Sequence, residues 1–287
     1  MILVVKFGIF LPAFREFAEP GRVVELARSA ELAGWDGLFL WDHMLAGPDV
    51  PVADAWVTMA AVATATRTLR LGAMVTPLSR RRPWVLARQV ATLDRLSNGR
   101  LILGVGLGDD GWKEFGSFGE ETDPVARGRD LDESLGLVQN LLRGVPVQHT
   151  GQRYAVDTTA FLPIPVQNPF PVWAAGRWPN RRPLARASKL QGFFPIFAHT
   201  DPPVPPDPNE VASIFGKLQE QGVGPDFDLV ITWPFSGQDP ALQSATLKAV
   251  EAAGATWVLD GYPPYGPNAL PASELEQIFR QGPPRTG

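Results

Sequence analysis

The sequence predicts an α/β fold of the (β/α)8 TIM-barrel type. Eight short apolar runs are each followed by a segment with helical periodicity. The length of 287 residues suits such a barrel as one domain. The run that begins after Asp36 ends in Trp41, Asp42 and His43, so a buried strand leads polar groups to one rim. In parallel α/β folds that rim carries the ligand site.

The first four strand–helix units follow one another closely. Their predicted strands are Leu3–Leu11, the run after Asp36, Leu69–Val75 and Leu101–Val105. Pro20-Gly21 opens the first helix and Gly34 ends it. Asp54 is a plausible N-cap for the second helix, and Pro83 suits the first turn of the third.

An excursion separates the fourth and fifth units. Asp109–Thr122 predicts a long loop, and a helix is expected from Asp123-Pro124. An irregular insertion at about 143–169 follows, with a small hairpin around Gly151. Loops of this length in a compact domain are usually functional.

After the insertion, predicted strands and helices again alternate regularly. The remaining predicted strands are Pro171–Ala175, Gly192–Phe197, Asp228–Thr232 and Ala255–Leu259. We expect a single domain over residues 1–287, with a frayed tail at 282–287. A doubly wound sheet is the alternative, but Gly104-Val-Gly-Leu-Gly108 lacks the spacing of a dinucleotide fingerprint, and no helix begins there.

Composition bears on the classes of function. A net charge of −4 gives no general attraction for nucleic acid or an anionic membrane. The absence of cysteine excludes disulfides and thiolate catalysis, and no metal site is expected because the three histidines lack ligand spacing. The first residues lack a signal-peptide pattern, and no apolar run approaches the roughly 20 residues of a membrane span. A cytoplasmic location is therefore expected.

Six segments occur in an order that resembles a known family. They are Phe7-Gly-Ile-Phe-Leu-Pro12, Ala33-Gly-Trp-Asp-Gly37, Trp41-Asp-His43, Leu71-Gly-Ala-Met-Val-Thr-Pro77, Leu93-Asp-Arg-Leu-Ser-Asn-Gly-Arg-Leu101 and Gly104-Val-Gly-Leu-Gly108. The ordered set resembles the bacterial luciferase-like superfamily of flavin- and deazaflavin-dependent oxidoreductases. Val172-Trp-Ala-Ala-Gly-Arg-Trp-Pro-Asn180 continues the resemblance, and the last third of the chain shares only the strand–helix rhythm.

The resemblance implies a barrel that holds a flavin or deazaflavin ring at its C-terminal rim. Asp42 and His43 would then lie beside the reactive face of the ring. Histidine suits the proton exchange that accompanies hydride chemistry, since its unperturbed pKa is about 6.5. Glu114 would serve as proton donor from the loop after the fourth strand, with Asp109 as a second acidic candidate. Trp112, Phe115 and Phe118 would form a lid over the ring or pack beneath the excursion.

Contacts to the cofactor are implied in the same way. The expected contact residues are Trp41, Ala73, Met74, Thr76, Gly106, Gly108, Ala175, Gly176 and Arg177. The Ala73–Met74 bond corresponds to a non-proline cis peptide in many family members. Gly176 would let backbone N–H groups approach the phosphate and Arg177 would bind it, with Arg181 and Arg182 as further candidates. The run Arg80-Arg81-Arg82 would meet an acidic cofactor tail or substrate, or stay solvated.

The cofactor expected from these residues is the deazaflavin coenzyme F-420 or FMN. The deazaflavin is favoured by the Trp41-Asp42-His43 rim and because Leu107 stands where luciferases place a phosphate-binding arginine. The substrate would be a small organic molecule, with hydride transfer and monooxygenation both open. Two alternatives are a hydrolase that pairs Asp42 with Glu114 or Asp260, and a flavin-binding relative without turnover.

Two further expectations concern the surface. An interhelical or subunit contact is predicted at Ala91–Leu96 and the preceding turn, because the apolar side chains of Leu93 and Leu96 are more than one inward-facing stripe accounts for. The resemblance implies a homodimer through the early helices. His149 and His199 lie in irregular segments and are expected to be solvated.

Overall fold

The computed structural model describes residues 5–197, 204–265 and 269–284. In chain order its strands are β1 (Lys6–Pro12), β2 (Gly37–Trp41), β3 (Arg70–Ala73), β4 (Thr76–Pro77), β5 (Leu103–Gly106), β6 (Val147–Thr150), β7 (Ala155–Thr158), β8 (Val172–Arg177), β9 (Gly192–Ile196), β10 (Asp228–Thr232) and β11 (Trp257–Gly261). Its helices are α1 (Pro20–Ala33), α2 (Ala55–Ala65), α3 (Pro83–Leu96), α4 (Pro124–Leu142), α5 (Arg181–Ala187), α6 (Pro208–Glu220), α7 (Pro240–Ala252) and α8 (Ala272–Arg280). No helix in these ranges is long and apolar enough to cross a bilayer.

The main sheet is parallel and nearly closes into a barrel. Its strand order is β3-β2-β1-β11-β10-β9-β8-β5-β4. The two ends of this order meet through a parallel bridge between Leu71 and Leu101. The predicted (β/α)8 class is confirmed, with one difference at the third strand. The expected strand Leu69–Val75 is divided into β3 and β4, because the chain leaves the sheet at Met74 and Val75.

Two glycines allow close approach at the seam where β3 meets β5. A Cβ on Gly72 would lie 2.5 Å from the carbonyl oxygen of Ile102. A Cβ on Gly104 would overlap the carbonyl oxygen of Ala73 and the sulfur of Met74. Closure of the barrel therefore depends on the absence of a side chain at both positions.

Gly104→Ala is expected to destabilise the protein by about 1–3 kcal/mol, because the added methyl group would push against backbone at the seam. Gly136→Ala is the matched control, since a Cβ there meets nothing within 4 Å and the residue lies in α4. Alanine in a helix interior is expected to stabilise by roughly 0.5–1 kcal/mol. Urea denaturation of both variants measures the difference. An equal effect of the two substitutions would contradict the close approach at the seam.

Aromatic side chains fill the barrel interior below the C-terminal rim. The rings of Phe39 and Trp173 lie 5.4 Å apart, and those of Trp173 and Trp257 lie 5.5 Å apart. These three rings are at most 1% exposed, and Phe194 and Leu259 pack with them. The interior is therefore filled, and space for a ligand remains only above it.

The excursion between β5 and β8 contains α4 and an antiparallel hairpin of β6 and β7 around Gly151, as predicted. Glu133 on α4 holds this hairpin. Its carboxylate accepts hydrogen bonds from the backbone N–H of Tyr154 (2.9 Å) and contacts Nε2 of His149 (3.1 Å). The expectation that His149 is solvated is therefore wrong, while His199 lies outside the described residues.

Candidate active site

A cleft of about 1420 Å³ lies at the C-terminal ends of the strands. Most of the residues that the sequence singled out line it together. They are Trp41, Asp42, His43, Met74, Gly106, Gly108, Glu114, Ala175, Gly176 and Arg177. The volume exceeds the roughly 300–1,000 Å³ of an ordinary small-molecule pocket, so the cleft has room for two molecules.

The break between β3 and β4 forms part of the cleft. Met74 and Val75 line the space, and the peptide bond between them is cis. The cis bond therefore lies one residue later than the Ala73–Met74 position expected from the sequence. Ala73 and Thr76, also expected to contact a cofactor, are 1% and 0% exposed and flank this break.

His43 and Glu114 form a close pair at the rim. Because β2 ends at Trp41, the chain is free to turn His43 into the cleft. Its Nδ1 lies 2.6 Å from Oε1 of Glu114. The second oxygen, Oε2, accepts hydrogen bonds from the backbone N–H of Met44 (2.6 Å) and from Arg80 (3.1 Å).

Glu114 is held as a carboxylate. Burial alone would raise its pKa, but the hydrogen bond and charge of His43, the Met44 N–H and the Arg80 charge together lower it below the ordinary value. A carboxylate without a proton cannot be a proton donor at neutral pH. The donor role implied for Glu114 is therefore not supported, and the contacts suit it to orienting His43.

Two arginines that follow β4 anchor the same corner. Arg81 Nη2 donates to both oxygens of Asp42, at 2.9 and 2.7 Å. Arg80 donates to the carbonyl oxygen of Asp42 (2.5 Å) as well as to Glu114. The side chains of Arg80 and Arg81 are only 7% and 17% exposed. The expectation of a solvated surface is therefore wrong for these two residues. Neither of them lines the cleft, so the contact with an acidic cofactor tail or substrate is not supported.

Aromatic rings surround His43. The ring of Trp112 lies 4.9 Å from the imidazole, and those of Trp41 and Phe14 lie 5.7 and 6.1 Å away. Trp112 lines the cleft, as a lid residue would. Phe115, in contrast, is buried and Phe118 is exposed, so neither covers the space.

Arg127 is a site residue that the sequence analysis missed. Its guanidinium carbon lies 4.4 Å from the centre of the Phe115 ring, and Nη1 donates to the carbonyl oxygen of Leu107 at 3.4 Å. The residue is 6% exposed, lines the cleft and has no partner for Nε among the described residues. Arginines on a helix face are usually solvated, so the sequence carries little sign of this role. The one available signal was the position of Arg127 in the first turn of the helix that begins at Pro124.

The groups expected at the phosphate end differ in their surroundings. Arg177 lines the cleft and is exposed, whereas Arg181 and Arg182 are exposed at the start of α5. A Cβ on Gly176 would overlap Pro183. The packing of α5 therefore requires glycine at position 176. Its presence is explained by this packing and does not by itself indicate an anion-binding site.

The paired carboxylates of the hydrolase alternative do not face each other across the cleft. Asp42 is bound by Arg81, and Glu114 is bound by His43 and Arg80. Asp260 is fully buried near Ser236, and burial raises its pKa to about 7. The geometry therefore gives no support to glycosidase-type chemistry.

A sequence profile described as luciferase-like monooxygenase matches residues 5–203. The chain belongs to the luciferase-like monooxygenase family. The class expected from the sequence, a flavin- or deazaflavin-dependent oxidoreductase, is confirmed at the level of this family.

Curated relatives of this luciferase-like chain include two dehydrogenases. The F420-dependent glucose-6-phosphate dehydrogenase of Amycolatopsis mediterranei is 37% identical over 166 residues, which cover 56% of the chain and 49% of the relative. The enzyme of the same name from Nakamurella multipartita is 31% identical over 188 residues, covering 63% and 53%. The chain thus spans about half the length of the curated relatives it matches.

Solved structures share the fold along almost the whole chain. A monooxygenase from Streptomyces bottropensis superposes with a TM-score of 0.76 at 18% identity, covering 96% of this chain and 97% of the other. An F420-dependent secondary alcohol dehydrogenase in complex with an F420-acetone adduct gives a TM-score of 0.72 at 19% identity, with 96% and 97% covered. At this identity the likeness concerns the fold.

Proposed function

We propose that the protein is an oxidoreductase that exchanges a hydride between a deazaflavin and a small organic substrate. The observation that carries this proposal is the pairing of His43 with the Glu114 carboxylate at the rim of a cleft large enough for two molecules. Family membership and the F420-dependent relatives support the cofactor class. FMN stays the second candidate, because a structural relative at 16% identity is described in complex with it.

The residues present fit such a cofactor. The ring would rest against the break at Met74 and Val75, where Gly106 keeps the neighbouring wall flat. Its phosphate would lie toward Arg127 and Arg177, since the Arg127 guanidinium lacks a carboxylate partner among the described residues. When bound, the deazaflavin supplies a carbon that accepts or returns a hydride.

His43 would accept and donate the proton that accompanies hydride transfer. With the Glu114 carboxylate accepting from Nδ1–H, the neutral form of the imidazole would have its lone pair on Nε2. Nε2 can take the hydroxyl proton of an alcohol as the hydride leaves, and return it in the reverse direction. Glu114 and Arg80 fix the tautomer and orientation of the ring, and Trp112 shields it from water.

Separate titrations of the apo protein with the deazaflavin and FMN test this proposal, followed by assays of hydride exchange and oxygen consumption. Tighter deazaflavin binding with hydride exchange is the expected result. Tighter FMN binding with oxygen consumption would favour monooxygenation instead. Binding without turnover would favour the non-catalytic relative.

Arg127→Met is expected to weaken cofactor binding by about 10- to 100-fold, because a charge-assisted bond to phosphate contributes roughly 1.5–3 kcal/mol. Arg177→Ala is expected to weaken it less, since Arg177 is exposed. The control is Arg129→Met, which removes an exposed arginine from the same helix. Fluorescence titration measures the three affinities, and equal losses in Arg127→Met and Arg129→Met would contradict a role for Arg127.

We also propose that the protein forms a homodimer and is located in the cytoplasm. Leu93 is 5% exposed and packs in the core of its own chain, so it is not available for a contact between subunits. Leu96 (47% exposed) and Val85 (49%) on α3 are accessible to a second copy. Sedimentation is expected to show a dimer at micromolar concentration that Leu96→Glu weakens; a monomer in the unmodified protein would contradict this.

A further inference from the structure

One wall of the cleft is apolar and comes from the last strands of the barrel. We call it the far wall and define it by Phe194, Ile196, Phe197, Trp233, Tyr262 and Pro263, at the ends of β9, β10 and β11. Its β9 end adjoins β8, where Ile196 pairs with Arg177, the residue assigned above to the cofactor phosphate. In the sheet order its β10 and β11 part is separated from β8 by β9 and from β2 by β1. A substrate beside the cofactor would rest against this far wall.

The hydroxyl groups on the far wall are already engaged. Thr232, at the end of β10, donates from Oγ1 to the carbonyl oxygen of Leu259 (3.3 Å). The Tyr262 hydroxyl donates to the carbonyl oxygen of Ser236. With their protons engaged, both hydroxyls can accept a hydrogen bond from a ligand but do not donate one, and the far wall itself presents ring and aliphatic surface.

The charges at this wall are negative. Asp207 and Glu210, at the start of α6, line the same side of the cleft. The described lining residues between 194 and 264 include no lysine or arginine. The cations nearest to the far wall in the lining are Arg177, which pairs with Ile196, and Arg186, which donates to Asp132. Arg15 touches Pro264 but donates to its carbonyl oxygen at 2.8 Å. A phosphate monoester, with a charge of about −1.5 to −2, needs cations, so this wall would repel it.

We propose that the substrate is an uncharged alcohol or ketone with an apolar body, and not a sugar phosphate. This inference rests on the proposed function. In the oxidising direction the alcohol carbon loses a hydride, with two electrons, to the oxidised deazaflavin. The hydroxyl proton passes to Nε2 of His43, and the alcohol becomes a ketone. The apolar body packs on Phe194, Phe197 and Trp233, where its burial provides the binding energy.

The test uses the complex with the deazaflavin, whose formation is established first by fluorescence titration. Cyclohexanone and glucose 6-phosphate are then titrated separately against the fluorescence of the bound chromophore. Cyclohexanone is expected to bind at least about tenfold more tightly. Glucose 6-phosphate binding as tightly as cyclohexanone, or failure of both to bind, would overturn the inference. Failure of the deazaflavin to bind would instead overturn the proposed function.

A charge introduced on the far wall gives a second measurement. Ile196→Lys places a cation at the end of β9, on a side chain that is 41% exposed and therefore tolerant of lysine. It is expected to strengthen glucose 6-phosphate binding by about tenfold or more. Leu32→Lys adds the same charge on α1, where the side chain is 90% exposed and outside the cleft. No gain in Ile196→Lys, or an equal gain in Leu32→Lys, would overturn the assignment of this wall to the substrate.

Discussion

Replacing His43 with alanine is expected to slow hydride transfer by roughly 10²-fold or more, the usual contribution of one acid–base group. Cofactor affinity should stay nearly unchanged, because the cations proposed for the phosphate lie on α4 and β8. Stopped-flow absorbance of the bound deazaflavin measures the transfer step, and titration measures the affinity.

His149→Ala is the matched control for this substitution. It removes the other described histidine, whose partner is Glu133 in the excursion. Its transfer rate should equal that of the unmodified protein. An unchanged rate in His43→Ala would remove His43 from the mechanism, and an equal loss in both variants would point to a general structural effect.

Replacing Arg80 with methionine is expected to destabilise the protein by about 3–5 kcal/mol, because it removes the arginine partner of the buried Glu114 carboxylate and leaves it only His43 and the Met44 N–H among the described residues. Arg82→Met is the control. Arg82 is exposed and contacts the Trp84 ring, so its loss should change stability by no more than about 0.5 kcal/mol.

The effect of Arg80→Met should depend on pH. The pKa of Glu114 is lowered in the folded protein, so the stability from its ionised form is present above the ordinary value of 4.5 and is lost as pH falls through the folded-state pKa. The gap in unfolding free energy between the unmodified protein and the variant is therefore largest at neutral pH and shrinks below pH 4.5. Urea denaturation at neutral and acidic pH measures it, and a gap independent of pH would contradict the ion pair.

The strands and the rim position of His43 could be predicted because both depend on local pattern. An apolar run such as Leu101–Val105 identifies a buried strand, and polar residues directly after a run identify the rim. The boundaries differ by one or two residues, as at β5, which is Leu103–Gly106 instead of Leu101–Val105, because pairing between strands sets where each one ends. The cis peptide that the resemblance implied at Ala73–Met74 lies one residue later, between Met74 and Val75.

Asp42, Arg80, Arg81 and Glu114 form an ion network at the rim. This ion network could not be predicted, because its members are far apart in sequence. Arg80 and Asp42 are separated by 38 residues, and Arg80 and Glu114 by 34. A run of three arginines has the same pattern whether it is solvated or paired. Arg127 was missed because helix periodicity locates the inward stripe of α4 but does not show that a charged side chain borders a cleft.

The ion network and the loop after β10 belong to separate parts of the rim. Asp42, Arg80 and Glu114 come from three different loops, so each of these loops constrains the other two. The loops after β10 and β11 contribute nothing to this network in the described residues, and the family match ends at residue 203, before both of them. The loop after β11 also carries Tyr265, whose ring lies 5.7 Å from that of Trp112 and whose hydroxyl donates to the carbonyl oxygen of Ala46. Transplanting the loop after β10 alone from a homologue should therefore alter which compound is accepted while the proton-transfer centre is inherited intact.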